Sequence, residues 1–423
     1  MQIQENLKVK EKLYIEKLEN GLTIMIIPKK GVQKKFIVWA TNYGSNDSEF
    51  VVPGETEKTE VPKGVAHFLE HKMFEQENGT NSLDVLTALG VNANAYTTND
   101  HTAYLFECTD NFYEALDELM DYVQNPYFTD ENVEKEKGII GQEIKMYDDY
   151  PEWKVYLNTL EAMYHKHPVK LDITGTVETI SHIDKDILYK CYNTFYHPSN
   201  MAMVVCGDFE PNEILQEIKN RLANKESHGE IKRIYPDEPE SIVKEKVEQK
   251  MEVSQPLYTI GIKDIAPETG TIVKRHIGIE ILLNIIFGRS SKLYKELYNK
   301  GIISGGASLD YEFSRGYAHI LITGQSKNPE EVYKEFKLAI QDLKQNGIKE
   351  EDYKRNKKMI YGEYVKEYND VSDIARMFIS DYFKGINSFN YLEEIQSINV
   401  EYLNELLKDV FREEKMVISI VRN

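Results

Sequence analysis

The sequence predicts an α+β fold of two duplicated domains, each a mixed, largely antiparallel sheet with helices packed on one face. Three observations carry this. The chain has 423 residues, too many for one ordinary core and enough for two or more domains of roughly 100 to 200 residues each. One order of strands and helices is legible twice. The last helix of the first set also aligns without gaps with its counterpart in the second. Lys137 to Asp149 and Lys358 to Asp370 share six of thirteen positions, where about one is expected by chance.

The first set opens after the Asn20-Gly21 turn with an apolar strand, Leu22 to Ile27, followed by a second at Phe36 to Ala40. A helix follows Gly64. Beyond it, Val91 to Thr97 and Thr102 to Phe106 flank Asn99-Asp100, a hairpin signature. Two helices come next, and the set closes with the buried strand Met201 to Cys206, which ends at Gly207-Asp208. The second set runs from a strand at Leu257 to Ile262 through an apolar helix near Ile277 to Phe287. A hairpin around Arg315-Gly316, two long helices and the strand Met416 to Val421 complete it. The polar stretch between the sets, rich in Lys and Glu and holding Pro236 and Pro239, reads as a connector. The expected division is therefore an N-terminal domain at 1–223, a connector at 224–250 and a C-terminal domain at 251–423.

With 41% hydrophobic and 29% charged residues the composition is that of a soluble globular protein. No apolar run approaches the ~18 to 20 residues of a membrane span. The N-terminus lacks the features of a secretion signal or a transit peptide, so the cytoplasm is the expected location. Cys108, Cys191 and Cys206 form no C-x-x-C pair and read as buried apolar residues. A formal net charge of -19 argues against nucleic acid as a partner, since phosphate binding relies on basic stripes.

The chemistry concentrates in His67-Phe68-Leu69-Glu70-His71. On a helix the two histidines lie one turn apart on the same face, so both imidazoles can reach one tetrahedral ion. Glu70 leans to the same side, where a carboxylate can take a proton from a metal-bound water without binding the metal. A solvated helix that happens to carry two histidines is the plain alternative. Catalytic zinc usually takes three protein ligands, so a third belongs elsewhere. In the helix from about Thr129 to Tyr147 most glutamates should face water. Glu136 and Glu143 stand apart, two turns from each other and next to Ile139 and Ile140, on the side expected to pack inward. In the duplicated helix Tyr364 stands at the position of Glu143, and the second half has no H-x-x-E-H. His165 and His167 form only a weak H-x-H pattern in a loop, and His276 reads as an ordinary packed or half-exposed side chain.

These residues resemble the pitrilysin and insulinase family of zinc peptidases, whose hallmark is H-x-x-E-H with a glutamate ligand further along the chain. The resemblance covers nearly the whole sequence. It includes Asn20-Gly21-Leu22, Gly64 to Phe74, Asn94-Ala95-Tyr96-Thr97-Thr98, Tyr196 to Met201 and Gly207-Asp208. It implies one zinc per chain held by His67, His71 and Glu143, with Glu70 as the base and Glu136 as a supporting carboxylate. It also implies that Asn94 and Ala95 lie on an edge strand to which extended peptide substrates add as a further strand. The expected activity is a zinc metalloendopeptidase acting on short or unfolded peptides. A dedicated leader-peptide maturation protease and a non-catalytic structural or partner subunit are the alternatives.

One region departs from the family. Active members carry a spaced Arg and Tyr in the C-terminal half that hold substrate and stabilise the developing oxyanion. Here Tyr298 stands at the arginine position and Ser304 or Gly305 at that of the tyrosine. The resemblance therefore implies a heterodimer with a homologous chain that supplies the Arg and Tyr.

Overall fold

The computed structural model of the protein describes residues 1–223, 229–266 and 270–423, so residues 224–228 of the expected connector lie outside the described residues. The chain begins with strands β1 (Gln2–Asn6), β2 (Glu11–Lys17), β3 (Thr23–Pro28) and β4 (Lys35–Thr41), then the short β5 (Glu49–Val51) and β6 (Lys58–Glu60). Helices α1 (Val65–Lys72) and α2 (Ser82–Ala88) lead to the hairpin β7 (Asn92–Thr97) and β8 (Thr102–Cys108). Next come α3 (Phe112–Gln124), α4 (Asp130–Asp148), α5 (Pro151–Met163), α6 (Val177–Ser181) and α7 (Lys185–Phe195), then β9 (Met201–Gly207), α8 (Pro211–Arg221) and β10 (Lys232–Arg233). The second run has β11 (Lys246–Lys250), β12 (Leu257–Asp264), α9 (Ile272–Phe287), α10 (Lys292–Asn299) and the hairpin β13 (Ser308–Ser314) and β14 (Tyr317–Gln325). It ends with α11 (Pro329–Asn346), α12 (Glu350–Glu367), α13 (Val371–Phe383), α14 (Tyr391–Ser397), α15 (Val400–Val410) and β15 (Met416–Arg422).

The fold is α+β, with mixed, largely antiparallel sheets. The first sheet has the order β1-β2-β3-β9-β4-β8-β7 and the second β11-β15-β12-β14-β13, while β10-β5-β6 forms a small third sheet. The duplication is visible in strand direction as well as order. In the first sheet β3 and β9 are parallel and the pairs from β9 through β4 and β8 to β7 are antiparallel. In the second, β11 and β15 are parallel and every later pair is antiparallel.

Two compact units result, and they are interleaved along the chain. One comprises Met1–Ile144, Asp172–Ile234 and Glu367–Ser388; the other comprises Lys145–Leu171, Tyr235–Lys366 and Phe389–Asn423. The reason lies in the central strands. Every residue of β9 is buried, as is all of β15 except its last residue, so both faces of each sheet need cover. The expected helical layer supplies one face. On the other, α13 packs across β4 and β9, and α5 packs across β12 and β15. In the first unit Tyr382 Oη donates to Thr23 Oγ1 at 2.8 Å, and the Arg376 guanidinium lies 5.4 Å above the Phe36 ring. In the second, α5 comes so close to β12 that a Cβ at Gly261 would meet Thr159 Cγ2 at 2.6 Å.

The described part of the expected connector is fixed in place. Glu238 accepts hydrogen bonds from the backbone N–H groups of His165, Lys166 and His167 at 2.8, 2.7 and 2.8 Å, and from Lys263 Nζ at 2.6 Å. Residues 246–250 are a sheet strand. All three cysteines are buried and unpaired. No helix among the described residues is long and apolar enough to cross a membrane.

Candidate metal centre

Helix α1 is buried along almost its whole length; Phe68 and Leu69 are fully enclosed, and His71 is its one half-exposed residue. Val65, Ala66, Phe68 and Leu69 pack it into the core, and His67 and Glu70, each 8% exposed, are held with it. Gly64 starts it with φ at 95°, and a Cβ there would meet the Thr174 carbonyl oxygen at 2.5 Å. Glycine is required at that entry.

His67 Nε2 lies 3.7 Å from Glu143 Oε1, and His71 Nε2 lies 3.5 Å from Glu143 Oε2. The ligating atoms of the three residues all fall within 4.8 Å of one another. These separations are too long for good hydrogen bonds. They are close to the about 3.3 Å edge of a tetrahedron of oxygen and nitrogen ligands around zinc. The second unit gives the contrast. There α9 carries His276 and Glu280 one turn apart, facing Tyr364 of α12, and the three close on each other. Tyr364 Oη donates to Glu280 at 3.0 Å, and His276 Nε2 lies 3.2 Å from the same carboxylate. Among the described residues, the His67, His71 and Glu143 group is the one that could hold a metal ion.

Burial drives His67 down to about 3, with the neighbouring His71 adding to the effect, so the ring is neutral at neutral pH and one of its nitrogens offers a lone pair. Burial would also lower His71, but the hydrogen bond to Glu136 and the charges of Glu70, Glu136 and Glu143 outweigh it and raise the group. His71 Nδ1 sits 3.1 Å from Glu136 Oε1. A proton shared there leaves Nε2 as the free lone pair facing Glu143. Burial would raise Glu136, yet His71 and Lys72 more than compensate and hold it below the ordinary carboxylate range. Glu143 is raised by burial against the pull of His71, with Asp172 and Glu136 adding to the rise. Burial likewise raises Glu70, opposed by a hydrogen bond from Thr97.

The fold thus brings His67, Glu70, His71, Glu136 and Glu143 together. Asn94 and Ala95 lie on β7, which is the edge of the first sheet and packs on α1. Ile139, expected to face inward beside Glu143, is instead 48% exposed, because the inward stripe of α4 runs through Val133, Glu136, Ile140 and Ile144. His167 is a fully buried turn residue that accepts from Val169 N. Tyr298, expected at the family's arginine position, is exposed and stacked on Tyr294 at 5.9 Å. Two residues around the site escaped the sequence reading. Lys72 is completely buried, with Nζ 2.6 Å from Glu75 and 3.5 Å from Glu136, and nothing in the sequence signals that. Thr97 donates to Glu70 Oε2 at 2.6 Å. The period-two alternation of β7, which puts Thr97 on the face of Ala93 and Ala95, could have indicated it.

Comparison with known proteins gives the family. Residues 50–177 match the family model described as Insulinase (Peptidase family M16), and residues 182–360 match the Peptidase M16 inactive domain. A relative named Uncharacterized zinc protease YmfH, from Bacillus subtilis, is 38% identical over 97% of this chain and 96% of its own length. The crystal structure of an M16-like peptidase from Alicyclobacillus acidocaldarius superposes with a TM-score of 0.93 at 34% identity, covering 98% of this chain and 99% of that one. The periplasmic protease PqqL from Escherichia coli shares the fold at a TM-score of 0.76 and 18% identity, and 99% of this chain spans only 48% of it. The chain belongs to the insulinase family, peptidase family M16.

Proposed function

We propose that the protein is a zinc metalloendopeptidase that hydrolyses extended, short or unfolded peptides and works together with a homologous partner chain. The observation that carries this is the convergence of His67, His71 and Glu143 at separations suited to a shared ion, with Glu70 beside them and outside the ligand set. Zinc held by those three residues would supply Lewis acidity and an acidified water. The remaining work belongs to this chain's side chains. Glu70 takes the proton from the attacking water and returns it to the departing amine nitrogen. Glu136 fixes the orientation of His71. Edge strand β7, through Asn94 and Ala95, presents the open edge of the first sheet to an extended peptide whatever its side chains, and the Ala95 N–H, which donates to Asn94 Oδ1 at 2.9 Å, exchanges that partner for the peptide backbone.

Elemental analysis and a peptide digest test the reading. The wild-type chain should carry about one zinc, and Glu70→Gln should keep zinc and fold while cleavage falls by at least about 10² to 10⁴-fold, since the amide cannot accept the proton. A metal-free chain from a chelator-free preparation, or near-wild-type cleavage by Glu70→Gln, would overturn it.

A further inference from the structure

We infer that Thr97 is a positioning residue for Glu70, fixing the base's carboxylate from the same strand on which an extended peptide would be laid. This rests on the reading of Glu70 as the base. Thr97 is the last residue of β7, and its hydroxyl donates to Glu70 Oε2 at 2.6 Å. Among the described residues no other side chain donates to that carboxylate. The hydroxyl is itself held from behind. Thr97 pairs across the hairpin with Thr102, and their Oγ1 atoms are 3.2 Å apart. Thr102 Oγ1 gives its proton to the Tyr43 carbonyl at 2.9 Å, and with the Thr97 proton on Glu70 the two hydroxyls meet by packing, without a hydrogen bond between them. Thr102 and Tyr43 are both buried, which gives the tether a fixed anchor.

The consequence is directional. With Oε2 tied to β7, the carboxylate plane is fixed and Oε1 is the oxygen left to receive a proton. Without the tether, the carboxylate can rotate about its terminal torsion, a broad and soft degree of freedom. Misplacement of a reacting group by about 1 Å can cost on the order of 10²-fold in rate. Ala95, two residues earlier on the same face of the strand, belongs to the segment proposed to pair with substrate. The tether therefore references the base to the backbone that positions the scissile bond.

Single-turnover cleavage of one fluorogenic peptide, with full-length chain in excess and products read by mass spectrometry, tests this even for a slow enzyme. Thr97→Val removes the hydroxyl at constant shape, and Thr97→Ser keeps it. Thr97→Val should lower the single-turnover rate by about 10- to 100-fold with zinc content and thermal midpoint unchanged, and Thr97→Ser should stay within a few fold of wild type. In a Glu70→Gln background, Thr97→Val should cause no additional loss and no change in peptide affinity. Should the valine variant fail to fold, Thr97→Ala takes its place. A Thr97→Val chain within twofold of wild type would overturn the inference. So would an equal loss in both backgrounds, or a loss of peptide affinity alone, which would make Thr97 a substrate contact. An active Glu70→Gln chain would instead refute the base assignment, and the two failures are separable.

Discussion

At the scale of single residues, this chain separates side chains that satisfy one another from side chains that wait for something else. Glu280 accepts from Tyr364 Oη and lies 3.2 Å from His276 Nε2, so these three side chains leave no gap for an ion between them. His67, His71 and Glu143 surround a common point without closing it. Behind them, Lys72 and Glu136 form a buried charge pair that also touches Glu75. Taking an ammonium fully out of water is unfavourable unless each charge is paired and hydrogen-bonded. Here the pair keeps Glu136 ionised and aimed at His71 Nδ1. Glu136→Ala should therefore weaken zinc binding by about 10- to 100-fold, the usual effect of removing a partner that orients a ligand. Competition with a chromophoric chelator measures it, and unchanged affinity would show that His71 is oriented by packing alone. Glu143→Ala should cost far more, since two ligands cannot hold a catalytic zinc. Should that variant retain stoichiometric zinc, the third ligand lies elsewhere and Glu136 becomes the next choice.

At the scale of elements, each sheet is finished by a helix from a distant part of the sequence, and one carboxylate of the connector, Glu238, gathers four hydrogen bonds. Burial works against the ionised form of Glu238, but Lys263 and the backbone N–H groups of residues 165–167 hold it down to about 2. A group ordinarily near 4.5 in the unfolded chain then contributes stability that is complete above that pH and is lost as pH falls through about 2. Glu238→Gln should lower stability at neutral pH by about 3 to 5 kcal/mol, because Lys263 is left buried without its partner. It should also flatten the acid dependence between about 4.5 and about 2. Denaturant unfolding across that range would show both effects, and parallel curves for the two proteins would mean that another carboxylate governs acid unfolding. Much of this architecture was legible in the sequence. The i, i+4 histidines fix their own geometry, and Leu22 to Ile27, Phe36 to Ala40 and the Asn99-Asp100 hairpin fold as strands and turn. Helices were expected on one face only, yet the uninterrupted apolar run of Met201 to Cys206 calls for cover on both. It could not say by what. The amphipathic stripe of α13, through Ile374, Ala375, Phe378 and Ile379, suits any apolar surface, and periodicity carries no partner address. Lys72 and Thr97 were hidden for the same reason, since their roles depend on contacts across the tertiary structure.

At the scale of the whole molecule, the question is what a chain of 423 residues can do alone. It spans 48% of PqqL, so that relative carries about as much chain again beyond the part that shares this fold. The resemblance implies an Arg and a Tyr in the C-terminal half that stabilise the developing oxyanion. The places expected to correspond in this chain are Tyr298, exposed and stacked on Tyr294, and either Ser304 or Gly305, both exposed. Removing a donor to the oxyanion commonly costs ~10² to 10³ in rate, a deficit that better metal binding does not repair, because it arises at the substrate carbonyl. A homologous chain lacking H-x-x-E-H but keeping the Arg and Tyr would complete the site. Such a partner should raise peptidase activity by about 10² to 10³-fold when mixed with this chain and should have no activity by itself. Light scattering on each chain and on the mixture would report the heterodimer, and the same peptide assay on all three would report the gain. Glu70→Gln in this chain should abolish the activity of the mixture, whereas substitution of the partner's Arg should return it to the level of this chain alone. Full activity from this chain by itself, with no gain on mixing, would show that it supplies its own oxyanion donors and that Tyr298 does not stand at the family's arginine position.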